Sequence, residues 1–492
     1  MYPAEFLIWT ALFLGTPIGE SSERPCESSN RAGDRVRPFA MRFVLVASVA
    51  ATASALPCGA PTILGFFTPK CDANGLLLAP FAGGVQEAVD RSVAYYAAAP
   101  YDLPLSHNFQ PFVWATFMSG FDYLPTSLDI IAGMQDGMGL LSYVKLYKRA
   151  KAGRGGNATA ALSAAVQLGD YLTIWALTPA HGVWANVSRS TGLNIEWPLK
   201  TASQGDAAFG INCIEVDRVA MTAFALLRLY EAVPTPRYLA HAVHSARVLA
   251  ATQVDGNATD APWPFRVDAV SGAFLNGHKN GEMAFALRLF RALAAPPYSM
   301  PEFAQPAARL WAWVRDVQLP TARPDVTPAE CLFVNFFEDR TTTLDNNRNS
   351  WTAMELARLL VEEKAALDPD WQAHVESIFA YVLALFGHAS NVGNATIVGE
   401  QDDDNKPWGG ANSKLAGVAS LYGCASGKAA FSTLGRLNAF HMAHFTDPTD
   451  GGRSANAYDV DVAPTRGGWT QDAWLDVLHN LVDHLEAEDG VC

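Results

Sequence analysis

The segment Leu227-Arg228-Leu229-Tyr230 is one of six similar four-residue segments spread along this chain. The others are Val144-Lys145-Leu146-Tyr147, Leu287-Arg288-Leu289-Phe290, Ala357-Arg358-Leu359-Leu360, Ala419-Ser420-Leu421-Tyr422 and, most weakly, His479-Asn480-Leu481-Val482. They recur at irregular intervals of about 60 to 80 residues, which is typical of a repeated two-helix unit with loops of variable length. The repeat therefore predicts six copies of one helical hairpin.

Each of these segments ends a helix that is apolar on nearly all sides. In the third copy, two different faces are apolar, one formed by Met283, Ala286, Leu287, Phe290 and Leu293 and the other by Phe285, Leu289 and Ala292. A helix with this pattern must be buried on several sides. Before each one lies a more one-sided helix, at about 86–98, 158–176, 236–252, 301–317, 370–387 and 426–444.

Six one-sided outer helices that alternate with six buried inner helices predict a closed double ring. The fold class is therefore all-α, an (α/α)6 toroid over residues 86–492. Short β-hairpins are expected only in its loops, for example at Trp263-Pro264-Phe265-Arg266-Val267-Asp268.

The loops of this toroid divide into two classes by length. Connections from an inner helix to the next outer helix are short, whereas those from outer to inner are long, at 99–134, 177–214, 254–278, 318–348, 388–410 and 445–469. All long loops should then lie at the end where the inner helices begin. Long loops gathered on a rigid scaffold are where sites are built, and helix N-termini there favour anionic groups.

One of these loops contains the acidic segment Glu400-Gln401-Asp402-Asp403-Asp404-Asn405-Lys406-Pro407-Trp408. Three adjacent carboxylates repel one another, so at least one pKa should rise toward the range that a general acid needs. We expect Asp402, Asp403 and Asp404 to be catalytic, with Asp403 foremost, and Trp408 to stack on a sugar ring. A solvated acidic turn or a cation site are the alternatives.

Other starts of inner helices supply further candidates. Asp217, Glu282 and Asp472 are the carboxylates expected to act with the acidic segment from across the ring. The side chains expected to bind substrate are Asn347, Arg348, His278, Trp263 and Trp469. An Asp or Asn at such a position also serves as a helix N-cap, which is the structural alternative for each.

The chain begins with two tandem signal-like segments. Residues 1–40 are interpreted as an over-extended gene model, because Arg42, an apolar run and Ala53-Ser54-Ala55 form a complete signal peptide at 41–55. An N-terminal extension would follow at 56–85. Four glycosylation sequons, at Asn157, Asn186, Asn257 and Asn394, agree with a secreted or lumenal protein.

The cysteines are expected to form disulfides in that compartment. Without Cys26 an even set of six remains, Cys58, Cys71, Cys213, Cys331, Cys424 and Cys492, and none has metal-binding spacing. We expect most of them to be oxidised, with Cys58 and Cys71 as the local pair. No metal or organic cofactor is expected.

The formal net charge of −14 argues against nucleic acid or an anionic membrane as the partner. No apolar run after the signal peptide reaches the roughly 20 residues of a membrane span. The expected partner is a carbohydrate, and the expected state is a monomer.

The repeat and the Trp-, Asp- and Asn-rich starts of the inner helices resemble the six-hairpin glycosidase superfamily over residues 86–485. The resemblance implies a carbohydrate-active enzyme, first of all a glycoside hydrolase that uses paired carboxylates. A uronate lyase or a glucuronyl C5-epimerase is the alternative, for which Arg218, His278, Lys279, Arg348 and Arg466 could bind the substrate carboxylate. A third possibility is a toroid that binds carbohydrate without catalysis.

Overall fold

The computed structural model describes residues 68–97, 117–118, 125–127, 136–189, 212–335, 344–390, 395–403, 405, 409–446 and 470–492. All of them belong to one compact unit, Thr52–Cys492. The expected gene-model segment at 1–40 and signal peptide at 41–55 lie outside these residues, and of the extension only 68–85 is described.

Two concentric sets of helices alternate along the chain. The outer helices are α1 (Gly84–Ala97), α3 (Ala158–Ile174), α5 (Pro236–Thr252), α7 (Ala304–Trp313), α9 (Trp371–Phe386) and α11 (Ala429–His444). The inner helices are α2 (Gly137–Lys151), α4 (Val216–Ala232), α6 (Ala284–Ala294), α8 (Trp351–Glu363), α10 (Gly409–Ser426) and α12 (Thr470–Glu488).

The inner helices form a closed ring. Each packs against the next inner helix, and α12 packs back against α2. Each inner helix from α2 to α10 also packs against the outer helix that follows it, and α1 packs against α12. The predicted (α/α)6 toroid is confirmed.

Burial follows the predicted amphipathic patterns. On α6, Leu287, Leu289 and Phe290 are all fully buried although they point in different directions. Burying a side chain of this size stabilises the fold by about 1.5–3 kcal/mol. On the outer helix α9, Val375 and Ile378 are buried whereas Gln372 is exposed.

One outer helix is less regular than predicted. The segment 301–317 contains a 3₁₀ turn at Pro301–Phe303, the short α7, and a π-helical turn at Val314–Gln318. A second 3₁₀ turn, Leu319–Thr321, ends it. Pro320 cannot donate a backbone hydrogen bond, so the regular α-helical ladder cannot continue through it.

Short strands occur in the loops. They are β1 (Phe117–Met118), β2 (Pro125–Ser127), β3 (Cys213–Glu215), β4 (Arg266–Asp268), β5 (Phe274–Asn276), β6 (Gly387–Ala389) and β7 (Thr396–Val398). The predicted hairpin at Trp263–Asp268 exists as β4 and β5, and it turns at Gly272, whose φ is +72°. It joins a three-stranded antiparallel sheet in which Glu215 of β3 pairs with Arg266 of β4.

The long loops contact one another around one end of the ring. The Trp184 amide donates to the Ala269 carbonyl at 2.9 Å, and the Lys279 amide donates to Asp345 Oδ1 at 2.9 Å. Asn349 and Gln401 form an isolated antiparallel bridge. Four described loops therefore share one mouth, as predicted. Trp469 lies outside the described residues.

The cysteines are only partly oxidised. Cys424 and Cys492 form a disulfide, and Cys71 is disulfide-bonded. Cys213, on β3, and Cys331, in the loop before α8, are buried thiols instead. Cys58 lies outside the described residues, so the expected Cys58–Cys71 pair stays a prediction.

Asn157, Asn186 and Asn257 are exposed, and Asn394 lies outside the described residues. Their glycosylation therefore stays a prediction. In the described part of the chain, no helix combines the length and the hydropathy that crossing a bilayer requires.

Candidate active site at the loop-rich mouth

Polar side chains are buried where the inner helices begin. They include Asp136 before α2, Glu215, Asp217 and Arg218 at α4, Asn280 and Glu282 before α6, Asn347 and Asn349 before α8, and Ser413 and Lys414 on α10. Burying charged groups is costly unless they are paired or serve a function. This ring of polar groups is therefore the candidate site.

A buried ion pair holds one side of the mouth together. Arg266 donates to Glu215 Oε1 from Nε at 3.2 Å and from Nη2 at 2.8 Å, with both side chains fully buried. Arg218 Nε lies 3.5 Å from the other oxygen of Glu215. The pair links the β4 hairpin to the start of α4 and places Asp217 on the first turn of that helix.

Glu282 is a buried carboxyl group held by a hydrogen bond from the backbone. Its Oε1 accepts a hydrogen bond from the Ala284 amide at 3.1 Å, and its own amide donates to Asn280 at 3.1 Å. Burial, together with the negative charges of Glu355 and Asp217, raises the pKa of Glu282 to about 8. Its Oε2 has no hydrogen-bond partner among the described residues. Glu282 is therefore protonated at neutral pH.

Glu355, on the second turn of α8, is the opposite case. Burial alone would raise its pKa, but Arg358, Lys414 and Arg288 outweigh burial and hold the pKa well below its usual range. Arg288 and Arg358 approach its two oxygens at 2.6 and 2.7 Å, and Lys414 lies 2.9 Å away. Glu355 is thus an ionised neighbour that favours the neutral form of Glu282.

Asp136 is a second buried carboxyl group at the mouth. It immediately precedes α2 but makes no side-chain cap hydrogen bond. Neither of its carboxyl oxygens has a partner among the described residues, and burial raises its pKa well above the usual range.

Within the acidic loop, Asp402 forms an ion pair with Arg348, whose Nε and Nη2 donate to it at 2.7 and 3.1 Å. The catalytic role expected for this loop stays a prediction. Asp403 is exposed, and its amide donates to Asn347 Oδ1 at 3.0 Å. Asp404 and Trp408 lie outside the described residues.

The other residues that were predicted to bind substrate lie in different places: beneath the acidic loop, on the rim of the mouth, and in the core. Asn347 is buried and donates to Gln401 Oε1 at 3.1 Å, so it supports the acidic loop. His278 lies on the rim, exposed, 3.2 Å from Asp260. Trp263 does not wall a cleft: its ring is buried against Phe290, because its apolar area packs into the core.

Asp472 lies on α12, in the part of that helix whose side chains the structure does not describe. Asp217 is buried, and its Oδ1 accepts from the Arg218 amide at 2.9 Å. Asp217 and Glu282 are the predicted acids that the structure brings together, because the Asp217 charge acts on Glu282.

No protein-family model and no curated protein matches this sequence. Similar solved structures include a sugar epimerase from a ruminal bacterium (TM-score 0.59, 14% identity, 83% of this chain and 99% of that chain). A D-mannose isomerase matches with TM-score 0.59 and 12% identity, over 85% and 99% of the two chains. A family 76 glycoside hydrolase from a bovine Bacteroides thetaiotaomicron strain matches with TM-score 0.55 and 12% identity, over 81% and 77%.

The (α/α)6 toroid of this chain is therefore similar in fold to these solved structures. At these identities the likeness concerns the fold, and the chemistry of this toroid must be argued from its own side chains.

Glu355 and Lys414 were not anticipated from the sequence of this toroid. Both lie within inner helices, beyond the N-terminal positions where candidates were sought. The sequence did contain a pattern that could have predicted them. A charged residue in a helix that is apolar on all sides must point into the ring and pair with another group there.

Proposed function

We propose that this chain is a carbohydrate-active enzyme whose general acid is Glu282. The observation that supports this is a buried carboxyl group at the loop-rich mouth with a pKa of about 8 and an oxygen that no described group engages. A general acid must hold its proton near neutral pH and must have that proton available for the leaving group. Glu282 meets the first condition, and its Oε2 meets the second when the mouth opens.

The reaction that we propose is hydrolysis of a glycosidic bond. It requires a second, ionised carboxylate to activate water or attack the sugar directly. Asp403 and Asp217 are the two proposed partners, one exposed on the mouth and one buried beside Arg218. Glu355 is a poor base because three cations surround it, so its role is to keep Glu282 protonated.

Access to the acid requires movement. Glu282 is 1% exposed, so a substrate reaches its proton only when neighbouring groups at the mouth move apart. Closure around a bound sugar would then exclude water and strengthen the electrostatic interactions inside the site.

The test is a screen of the full-length protein against neutral and uronate-containing polysaccharides, with reducing ends and unsaturated-product absorbance both recorded. On the identified substrate, Glu282→Gln should lower kcat by about a hundredfold or more. The matched control is Glu330→Gln, a carboxylate that is 56% exposed and pairs with Arg323. Full activity in Glu282→Gln would contradict the assignment.

A sugar epimerase or isomerase is the second candidate. Two of the similar structures, the sugar epimerase and the D-mannose isomerase, are each matched over 99% of their length, which supports this candidate. Within this chain, burial and the charges of Lys145 and Arg358 hold the pKa of His479 well below its usual value, so its ring is neutral. Arg358 lies 2.8 Å from Nε2, and Nδ1 has no partner among the described residues.

Because a guanidinium only donates, Nε2 holds the lone pair of this neutral imidazole, and it can abstract a proton from a sugar carbon next to a carbonyl once Arg358 moves away. Epimerisation would incorporate solvent deuterium at that carbon without releasing new reducing ends, and His479→Gln would abolish the exchange. Binding without either reaction would instead identify a carbohydrate-binding toroid.

A further inference from the structure

A cavity of about 1050 Å³ opens at the end of the ring opposite the long loops. It lies between the C-terminal halves of the inner helices, and its wall includes Lys145 and Lys148 of α2, Arg228 of α4, Arg288 of α6, Glu362 of α8 and Asp483 of α12. Glu282 does not line it. Glu355 lies between the mouth and this cavity. It lines the cavity, and its charge also acts on Glu282 at the mouth.

The wall of this cavity carries more basic than acidic groups. Eight Lys or Arg side chains and six carboxylates line it among the described residues, although the whole chain has a net charge of −14. Several carboxylates are each shared by two cations: Glu231 by Lys148 and Arg228, Asp483 by Lys145 and Arg358, and Glu486 by Arg149 and Arg154. Every cation of the wall has an ion-pair partner, but eight basic and six acidic groups leave the wall with a surplus of two positive charges, which favours an anion.

Helix dipoles explain only part of this pattern. A cation in the last turn of a helix is favourable by itself, which suffices for Lys148, Arg149 and Arg291. Arg228 and Arg358 lie before the last turn of their helices. Ion pairs hold these two side chains in the wall, Arg228 with Glu231 and Arg358 with Glu355 and Asp483.

An apolar surface stands beside the cations. Phe224, Phe285, Tyr298 and Trp311 all line the cavity. The Arg228 guanidinium lies 4.6 Å from the centre of the Phe224 ring, so charge and aromatic surface are adjacent. A pocket of this volume with a flat apolar wall and a few directed charges is typical of small-molecule sites.

We propose that this cavity is a second ligand pocket, which binds a small organic anion with a carboxylate attached to a ring. The carboxylate would meet Lys148 and Arg228, whose shared partner is Glu231, and the ring would pack on the aromatic wall near Tyr298. Two sources share this chemistry, an acidic sugar and an aromatic acid. The pocket does not depend on the proposed catalytic role of Glu282.

The test is calorimetric titration of the full-length protein with glucuronate, benzoate, glucose and inorganic sulfate. We expect one of the two carboxylates to bind and glucose not to bind. Lys148→Glu and Arg228→Glu should weaken binding at least about tenfold, because each reverses a charge that faces the ligand. The matched control is Lys151→Glu, an exposed cation on the same helix whose amine contacts Tyr147 and does not line the cavity.

Three results would overturn the proposal. These are no binding of either carboxylate up to about 10 mM, sulfate binding as strong as carboxylate binding, and equal losses in Lys148→Glu and Lys151→Glu. If a charge reversal prevents folding, Lys148→Ala replaces it, because that side chain is 50% exposed. Binding should survive in Glu282→Gln, so failure of the proposed activity and failure of this pocket can be distinguished.

Discussion

The ammonium of Lys414 lies 3.5 Å from the centre of the Trp351 ring, inside the ring of inner helices. Both side chains are buried, and the ammonium is also 2.9 Å from Glu355. A cation over an indole face is stabilised by the ring quadrupole, which offsets part of the cost of burying it. Lys414 is thereby fixed where its charge acts on both Glu355 and Glu282.

The first prediction concerns the alkaline limb of the pH profile. The pKa of Glu282 is raised to about 8, so the carboxyl group is protonated below that pH and loses its proton above it. If it is the general acid, kcat/KM should fall tenfold per pH unit well above pH 8. Steady-state rates from pH 6 to 10 on the identified substrate test this. A profile that stays flat through pH 9 would assign the acid elsewhere.

The second prediction tests the influence of Lys414 on that limb. Its positive charge lowers the pKa of Glu282, against burial and the neighbouring carboxylates. Lys414→Met should therefore move the alkaline limb to higher pH, whereas Lys414→Arg, which retains the charge, should leave it close to its original position. Thermal melting of both variants checks that they fold. A limb that moves to lower pH in Lys414→Met would contradict the electrostatic account.

The third prediction separates two adjacent carboxylates. Asp402→Asn removes the charge that Arg348 binds, so it should lower stability by about 1–3 kcal/mol. Asp403→Asn should leave stability nearly unchanged, because Asp403 is exposed, and should lower turnover if Asp403 is catalytic. Urea unfolding and kcat, measured on both variants, give the comparison. Unchanged turnover in Asp403→Asn would leave Asp217 as the proposed partner of Glu282.

The fourth prediction concerns acid stability. Burial lowers the pKa of His241 and His484 to about 4 and that of His441 to about 3, below the unfolded value of 6.5. The unfolded chain therefore binds more protons between these values, and stability falls as the pH drops from about 6.5 toward 4.

Melting temperatures should accordingly be clearly lower at pH 5 than at pH 7. The raised pKa values of Glu282 and Asp136 act in the opposite direction, because the folded carboxyl groups keep protons that the unfolded chain loses as the pH rises. His484→Gln, which can keep a polar contact with Ser420, should reduce the loss at low pH. Melting temperatures that are equal at pH 5 and 7 would show that these histidines do not govern acid stability.

The fifth prediction concerns the disulfide between Cys424 and Cys492, which ties the end of α10 to the C-terminus across 68 residues of sequence. In the chain-entropy account, closing a loop of this length stabilises the fold by at most about 4 kcal/mol. Cys492→Ser should lower the melting temperature, and a reductant should lower that of the wild type more than that of the variant, in which the disulfide of Cys71 is still present. An equal effect of reductant on both would show that the disulfide of Cys71, and not Cys424–Cys492, accounts for the loss.

The alternation of helix types and the toroid they form could be predicted because the buried sides of a helix determine the spacing of its apolar residues in the sequence. A helix that is apolar on all sides, such as α6, has to be enclosed by others, and six such helices can satisfy that need only by closing a ring. The position of the long loops followed from the same order of elements.

The protonation of the candidate acids depended on tertiary structure. In the sequence, Asp402 adjoins Asp403 and Asp404. In the fold, it pairs with Arg348, which is 54 residues away. The charges that act on Glu282 come from Glu355, Asp217, Lys414 and Arg218, which belong to three other inner helices. A sequence states which groups can ionise, whereas burial and charges brought together from distant helices decide which of them hold a proton.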